Sequence, residues 1–144
     1  MAICSVATRM SAIGTTVRGP SVYSTAALKP HIIEIGVSNT TAVACAVGVV
    51  RATATGTPGA ALTEVCISDD SSVIVATAAN THTADATVGA AIVQASLGAA
   101  VGSGWIWNWE IGEFVLDNAT GSGVVINCPT GTGQILDFWI KWRE

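Results

Sequence analysis

Charged residues are scarce in this chain. Only 11% of the 144 residues are charged, 10 acidic and 6 basic, against roughly a quarter in an average soluble domain. So few charges cannot cover a domain of this size, and much of the surface must consist of Ala, Val, Thr, Ser and Gly. A free monomer with such a surface is prone to associate. The composition therefore indicates a protein that is covered by copies of itself, by a larger shell, or by both.

Clustered positive charge is also missing. The net charge is −4, and the basic residues are dispersed along the chain: Arg9, Arg18, Lys29, Arg51, Lys141 and Arg143. A surface that binds phosphates needs Lys and Arg side by side. The sequence therefore does not predict a nucleic-acid partner.

No stretch suits a membrane helix. Residues 86–109 contain no charged side chain and are long enough to span a bilayer, but Gly98, Gly102 and Gly104 interrupt them. Residues 1–14 lack a basic segment followed by a long apolar run, so we expect no signal peptide. A membrane partner is not predicted either.

The patterns that mark metal sites and disulfide frameworks are absent. Cys4, Cys45, Cys66 and Cys128 are far apart in sequence, so no zinc-type pair exists. Two disulfides are arithmetically allowed, but each cysteine lies among Ala, Val and Ile, which favours buried thiols. Asp69 and Asp70 read as a solvated turn rather than a calcium site, because Ca²⁺ needs six or more oxygen ligands. No metal and no cofactor are predicted.

Catalytic motifs are missing as well. His31 and His82 belong to no histidine pair with metal-ligand spacing, and no Ser lies in a nucleophile-elbow motif. Glu110 and Glu113 are explained as charges beside a turn, although paired carboxylates can serve in glycosidases. We therefore expect that the protein is not an enzyme.

What the chain does contain is alternation of apolar and polar residues between turns rich in glycine. Short strands recur at intervals of roughly 8–12 residues, which is typical of a sandwich, jelly roll or barrel. We predict an all-β fold, a jelly-roll-like antiparallel β-sandwich of about eight strands, over residues 31–144. Gly19-Pro20 and Lys29-Pro30 set off residues 1–30, which we predict to be a partly extended arm that the sandwich does not need in order to fold. The arm either adds a strand to the sandwich or reaches onto a neighbouring subunit.

Tryptophan is the unusual residue in these strands. We predict one strand over residues 104–111, with Trp105, Trp107 and Trp109 on the same face, and a last strand over residues 134–142 with Trp139 and Trp142 on opposite faces. Such rings can fill a core, or they can stack on sugars or grip a partner. We expect most of them in the core, with Trp139 half-exposed at a subunit interface.

Three stretches resemble a group of small virion proteins of tailed bacteriophages. They are the strand IIEIGV at residues 32–37, the strand and loop VVRATATGTPG at 49–59, and the aromatic tail ILDFWIKWRE at 135–144. The proteins of this group are capsid decoration, or cement, proteins. The resemblance implies a homo-oligomer, for which a trimer is favoured and a dimer is the alternative. It also implies a protein that is made in the host cytoplasm and seated on the outer capsid surface of the virion against the major capsid protein.

We consider two candidate functions, of which the resemblance implies the first. The first is a structural virion protein that stabilises the shell by bridging capsid subunits, with a partner interface that includes Trp139, Lys141, Arg143 and Arg9. The second is a receptor- or glycan-binding module of a phage tail fibre. A glycan binder should show exposed Trp rings flanked by Asp, Asn or Gln in a groove, whereas a cement protein should show an apolar surface for self-association.

Overall fold

Two antiparallel sheets pack face to face as a sandwich. The computed structural model describes residues 2–25, 27–68, 73–130 and 132–144, and no helix occurs in these ranges. The five-stranded sheet has the order β6 (Val65–Cys66), β1 (Ile3–Met10), β11 (Leu136–Arg143), β3 (His31–Asn39) and β9 (Gly104–Asn108). The six-stranded sheet has the order β5 (Ala60–Ala61), β7 (Thr77–Asn80), β2 (Ser21–Tyr23), β10 (Gly123–Asn127), β4 (Cys45–Ala54) and β8 (Thr87–Leu97). The predicted all-β antiparallel sandwich is confirmed.

The central strand β11 shows how alternation builds the core. Every second side chain, Leu136, Phe138, Ile140 and Trp142, is at most 1% exposed and faces the other sheet. The residues between them point to the opposite face and are half-buried. On the six-stranded sheet, Val47, Val49, Val124 and Ile126 belong to the same core cluster. Burial of these rows is the main stabilising contribution to the fold.

Residues 1–30, predicted as a partly extended arm, contribute two strands to the sandwich, which is one of the two placements left open for them. Strand β1 lies between β6 and β11, and it pairs with β11 over its full length, from Ile3 opposite Arg143 to Met10 opposite Leu136. Strand β2 lies between β7 and β10 in the other sheet. The internal position of β1 was not predicted, because its inward row, Cys4, Val6, Thr8 and Met10, mixes small, polar and apolar residues and looks weak in sequence.

Strand β3 carries a bulge that the alternation pattern could not reveal. Lys141 is opposite Glu34, but the next residue, Trp142, is opposite Ile32, so Ile33 is an extra residue on β3. The bulge turns Ile32 into the core, where it is fully buried. Simple alternation had placed Ile32 on the same face as Glu34 and Gly36.

Other strand boundaries also differ from the prediction. The strand expected over residues 104–111 ends at Asn108, because residues 110–113 form a turn in which Glu113 N donates to Glu110 O at 3.1 Å. Residues 73–75 are not a strand, and β7 begins at Thr77. Residues 114–116 contribute only a single bridge, between Val115 and His31.

The lateral edges of the sandwich are unequal. On one side the sheets end in β5 and β6, which have two residues each, whereas on the other they end in the 11-residue β8 and the five-residue β9. We call β8, β9 and the turn between them, residues 87–108, the open side. This segment lies within the uncharged stretch of residues 86–109 and forms two strands. None of the described residues belongs to a helix that is long and apolar enough to cross a membrane.

Candidate partner interface

The four residues predicted for a partner interface lie on one surface. Arg9 projects from β1, and Trp139, Lys141 and Arg143 project from β11, all away from the core. We call this surface the outer face of the five-stranded sheet. Glu34, Gly36 and Ser38 of β3 and Ile106 of β9 belong to it through their register with β11 and β3. Antiparallel pairing thus assembles it from four separate parts of the chain.

Trp139 lies at the centre of the outer face. It is opposite Ala7 on β1 and Gly36 on β3, and its indole covers Gly36 so closely that a Cβ there would be 2.0 Å from Cζ2. Its Nε1 donates to Glu34 Oε1 at 2.5 Å. The missing side chain at residue 36 is therefore what allows the ring to lie flat across the sheet.

Ion pairs border the ring on two sides. Arg9 donates to Asp137 from Nε at 2.7 Å and from Nη2 at 3.0 Å, and Lys141 Nζ lies 2.6 Å from Glu34 Oε1. The hydrogen bond from Arg9 lowers the pKa of the Asp137 carboxyl. The hydrogen bond from Lys141, assisted by that from Trp139, lowers the pKa of Glu34 against the opposing effect of burial. Both carboxylates are therefore charged at neutral pH.

Shallow depressions flank Trp139. One is lined by Trp105, Ile106 and Trp139 together with Ser38 and backbone of the open side. The other is lined by Ala7, Arg9, Asp137 and Trp139. An aromatic ring surrounded by polar groups is a common arrangement at the centre of protein interfaces. The outer face can therefore hold an apolar group from a partner on either side of the ring.

The tryptophans divide between the core and the surface. Trp142 is fully buried and Trp107 is 9% exposed, while Trp109 packs against the core edge-on to Phe114, with ring centroids 5.2 Å apart. Trp105 points in the same direction as Trp107 but is 53% exposed. Trp139 is half-buried, as expected for it. Exposure of Trp105 was not predicted, because its position in the alternation is the same as that of Trp107.

A buried polar pair was missed in the sequence. Ser21 Oγ and His82 Nε2 are 2.7 Å apart, and the two residues are 0% and 2% exposed. The spacing is that of a nucleophile and its base, but no substrate can reach side chains so deeply enclosed. Burial lowers the pKa of His82, which favours the neutral ring in the folded protein. We interpret the pair as a structural link between β2 and the residues after β7.

Metal ligands do not converge anywhere in the described ranges. No group of three or more His, Cys, Asp or Glu side chains there is placed to hold a metal ion. Asp69 and Asp70, for which a solvated turn was predicted, lie outside the described residues. All four cysteines are described and no disulfide joins them; Cys4 and Cys128 are buried, and Cys45 and Cys66 are half-buried. Thiols rather than disulfides were the expectation.

Comparisons of this chain with protein-family models, with curated proteins and with solved structures find no match.

Proposed function

We propose that this protein is a structural, non-enzymatic component of a bacteriophage virion that binds the outside of the capsid and stabilises the shell by bridging subunits of the major capsid protein. The observation that carries this proposal is the open side. A monomeric protein would need charges or proline to keep such an edge from pairing with other chains. The open side of this protein carries no charged residue.

The open side has the properties of a surface that a second copy of the chain covers. Natural edge strands are usually short, charged or blocked by proline, but β8 has 11 residues, no charge and no proline. Bulges interrupt the pairing of the N-terminal half of β8 with β4, whereas residues 93–97 pair with β4 regularly. Large apolar side chains also project here; Val101 is 72% exposed and Ile106 is 51% exposed. The backbone N–H and C=O groups along the outer edge of β8 can therefore pair with β8 of a second copy.

The strand order supports the jelly-roll-like form of the sandwich that was predicted from the sequence. With β5, β6 and β7, the strands of the connection between β4 and β8, set aside, the sheets have the orders β1-β11-β3-β9 and β2-β10-β4-β8. The first four of these strands in the chain alternate between the sheets, and so do the last four. An eight-stranded, two-sheet antiparallel arrangement of this kind is typical of jelly rolls, a fold that viral capsid proteins and lectins use.

The outer face then supplies the contact with the shell. Ile106 belongs to both surfaces, but Arg9, Trp139, Lys141 and Arg143 lie on β1 and β11, which β3 separates from the open side. These four residues therefore stay accessible when the open side is covered. Trp139 provides the apolar centre. The ion pairs Arg9–Asp137 and Lys141–Glu34, together with Arg143, provide charged groups around it. A protein that binds only the assembled shell stabilises that shell by mass action. No chemical step is needed for such a role.

Sedimentation velocity of the full chain at micromolar concentration tests the self-association. We expect a discrete oligomer. Pairing of β8 with β8 of a second copy would be antiparallel and would close a two-fold dimer. The homotrimer implied by the resemblance requires the open side to meet a different surface of the next copy. The measured mass decides between them.

A charge-matched pair of variants locates the contact. Ile92→Lys with Val101→Lys places two charges on the open side, and Val65→Lys with Ile67→Lys places two at the opposite edge, where both residues are more than half exposed. We expect the first variant to dissociate at least tenfold more readily and the second to match the parent. A monomeric parent at high concentration, or equal behaviour of both variants, would contradict the proposal.

Attachment is tested separately with assembled phage shells that lack this protein. We expect the parent to co-sediment with the shells, and Trp139→Ala combined with Lys141→Glu to remain in the supernatant while still forming the oligomer. A parent oligomer that binds no shell would exclude the capsid role and leave the self-association intact.

Glycan binding is the second candidate, and one observation favours it. Trp105 and Trp139 line the same depression with Ser38, and an exposed ring beside a hydroxyl can stack on a sugar. In this case, titration with bacterial surface polysaccharide should quench tryptophan fluorescence, and Trp105→Ala should abolish the quenching. Absence of any change with the parent would remove this candidate.

A further inference from the structure

Two cysteines face each other where the five-stranded sheet ends. Cys4 of β1 is directly opposite Cys66 of β6, and their Sγ atoms are 3.0 Å apart, in contact as hydrogen-bonded thiols. Cys4 is fully buried and Cys66 is half-buried. Sequence spacing gave no sign of this pair, because 62 positions separate the two residues.

The backbone at this position suits a covalent link. Ile67 N donates to Ile3 O at 2.6 Å, so the adjacent cross-strand pair, Cys4 and Cys66, is of the non-hydrogen-bonded type. In such pairs the Cα atoms are about 4.5 Å apart and the side chains approach closely. Disulfides span Cα separations of about 4.4–6.8 Å. The two strands need not move apart or together for a bond to form.

We propose that Cys4 and Cys66 are a reversible disulfide site, oxidised by a low-molecular-weight disulfide such as oxidised glutathione, and that the bond fastens the edge strand β6 to β1. This inference does not depend on the capsid role. Strand β6 has only two residues, so a covalent link would hold it far more firmly than its ladder does.

The reaction begins at the more accessible sulfur. The thiolate of Cys66 attacks one sulfur of oxidised glutathione, which breaks the glutathione S–S bond, forms a mixed disulfide and releases one glutathione thiolate. Cys4 then attacks Cys66 Sγ and expels the second glutathione. The proton of the Cys4 thiol passes to the carboxylate of Glu144, whose Oε1 lies 3.9 Å from Cys4 Sγ. In total two protein thiols are oxidised, and one glutathione disulfide is reduced to two thiols.

The surroundings of Cys4 favour this order of steps. Burial, together with the hydrogen bond to Cys66, raises the pKa of the Cys4 thiol to about 12. Because the thiolate is the reacting form, Cys4 is a poor nucleophile toward an oxidant in solution. It reacts once a mixed disulfide is formed 3.0 Å away. Val75 N and Ala76 N hold the carboxylate of Glu144 in place, with hydrogen bonds of 2.8 and 2.9 Å.

The test uses the full chain, reduced, freed of reductant and incubated with oxidised glutathione without denaturant. Alkylation followed by intact-mass measurement should show two modified thiols after oxidation and four before it. Peptide mapping should place the bond between Cys4 and Cys66. Since the link closes a long loop in the unfolded chain, the melting temperature should rise by roughly 10 °C, and dithiothreitol should reverse the rise.

Two serine variants complete the experiment. Cys66→Ser should form no disulfide and show no change in melting temperature with glutathione. Cys45→Ser removes another half-buried thiol and should behave as the parent does. Four alkylated thiols after exhaustive oxidation, or a bond that includes Cys45 or Cys128, would overturn the proposal. If Cys66→Ser does not fold, the peptide map of the parent decides the question alone.

Discussion

The two faces of the five-stranded sheet are built from the same strands but have opposite characters. The inner row of β11 is fully covered by the other sheet, whereas the outer row alternates acidic, aromatic and basic residues that are half-buried. Both rows contain a tryptophan: Trp142 is enclosed in the core, and Trp139 lies over Gly36. The bulk and hydrophobicity of a side chain therefore do not by themselves decide whether it is buried. The position of the second layer decides it.

A pair of tryptophans on β9 gives the largest test of this comparison. Trp107 and Trp105 have the same orientation, but only Trp107 is covered. Trp107→Ala should reduce the free energy of unfolding by about 3–5 kcal/mol, as expected when a large buried aromatic is truncated. Trp105→Ala should cost well under half of that. Chemical denaturation of both variants measures the difference, and equal losses would mean that the two rings are equally covered.

Gly36 tests how the outer face is held together. A side chain at residue 36 would overlap the indole of Trp139, so Gly36→Val should displace the ring and destabilise the protein by about 1–3 kcal/mol, the usual effect of overpacking. In a Trp139→Ala background the same change should cost much less, because the obstructing ring is gone. Denaturation of the four members of this double-mutant cycle gives the coupling. Strict additivity would show that the ring does not restrict residue 36.

Substitution of Glu34 should have the smallest effect on the free energy of unfolding, and that effect should depend on pH. The pKa of Glu34 is lowered in the folded protein, chiefly by Lys141, so it contributes stability above its unfolded pKa of about 4.3. That contribution is lost as the pH falls through the lower, folded pKa. Glu34→Gln should therefore cost less than about 1 kcal/mol at pH 7, and the difference from the parent should shrink as the pH falls below about 4.3.

Melting curves at several pH values measure this difference. Glu110→Gln is the matched control, since it removes an exposed carboxylate from the turn after β9. A control that shows the same dependence on pH as Glu34→Gln would indicate a general effect of net charge instead of the local ion pair.

Much of the fold could be predicted because it depends on local pattern. The two faces of residues 136–142 follow from strict alternation, and the turns follow from Gly, Pro, Asn and Asp between strands. The four residues proposed for the interface are brought to one surface because three of them share a strand. Arg9 joins them only through the pairing of β1 with β11, which no local pattern specifies.

Other features depended on contacts between distant segments. The place of β1 between two other strands could not be predicted, since its alternation is weak and its stability comes from those two neighbours in the sheet. The bulge at Ile33 results from the register with β11. The pairing of Cys4 with Cys66, and of Ser21 with His82, joins residues more than 60 positions apart. Loop closure over such distances leaves no periodic trace in the sequence.

The sequence by itself determined the all-β class, the scarcity of surface charge and the alternating rows, because each of these depends on composition or on neighbours two residues away. The tertiary structure alone decided which rows are covered, which strands form the edges and which cysteines meet. The uncharged stretch of residues 86–109 shows the division clearly. Its composition is evident from the sequence, but only the packing of the sheets makes it the open side, because strand order depends on pairing between distant segments.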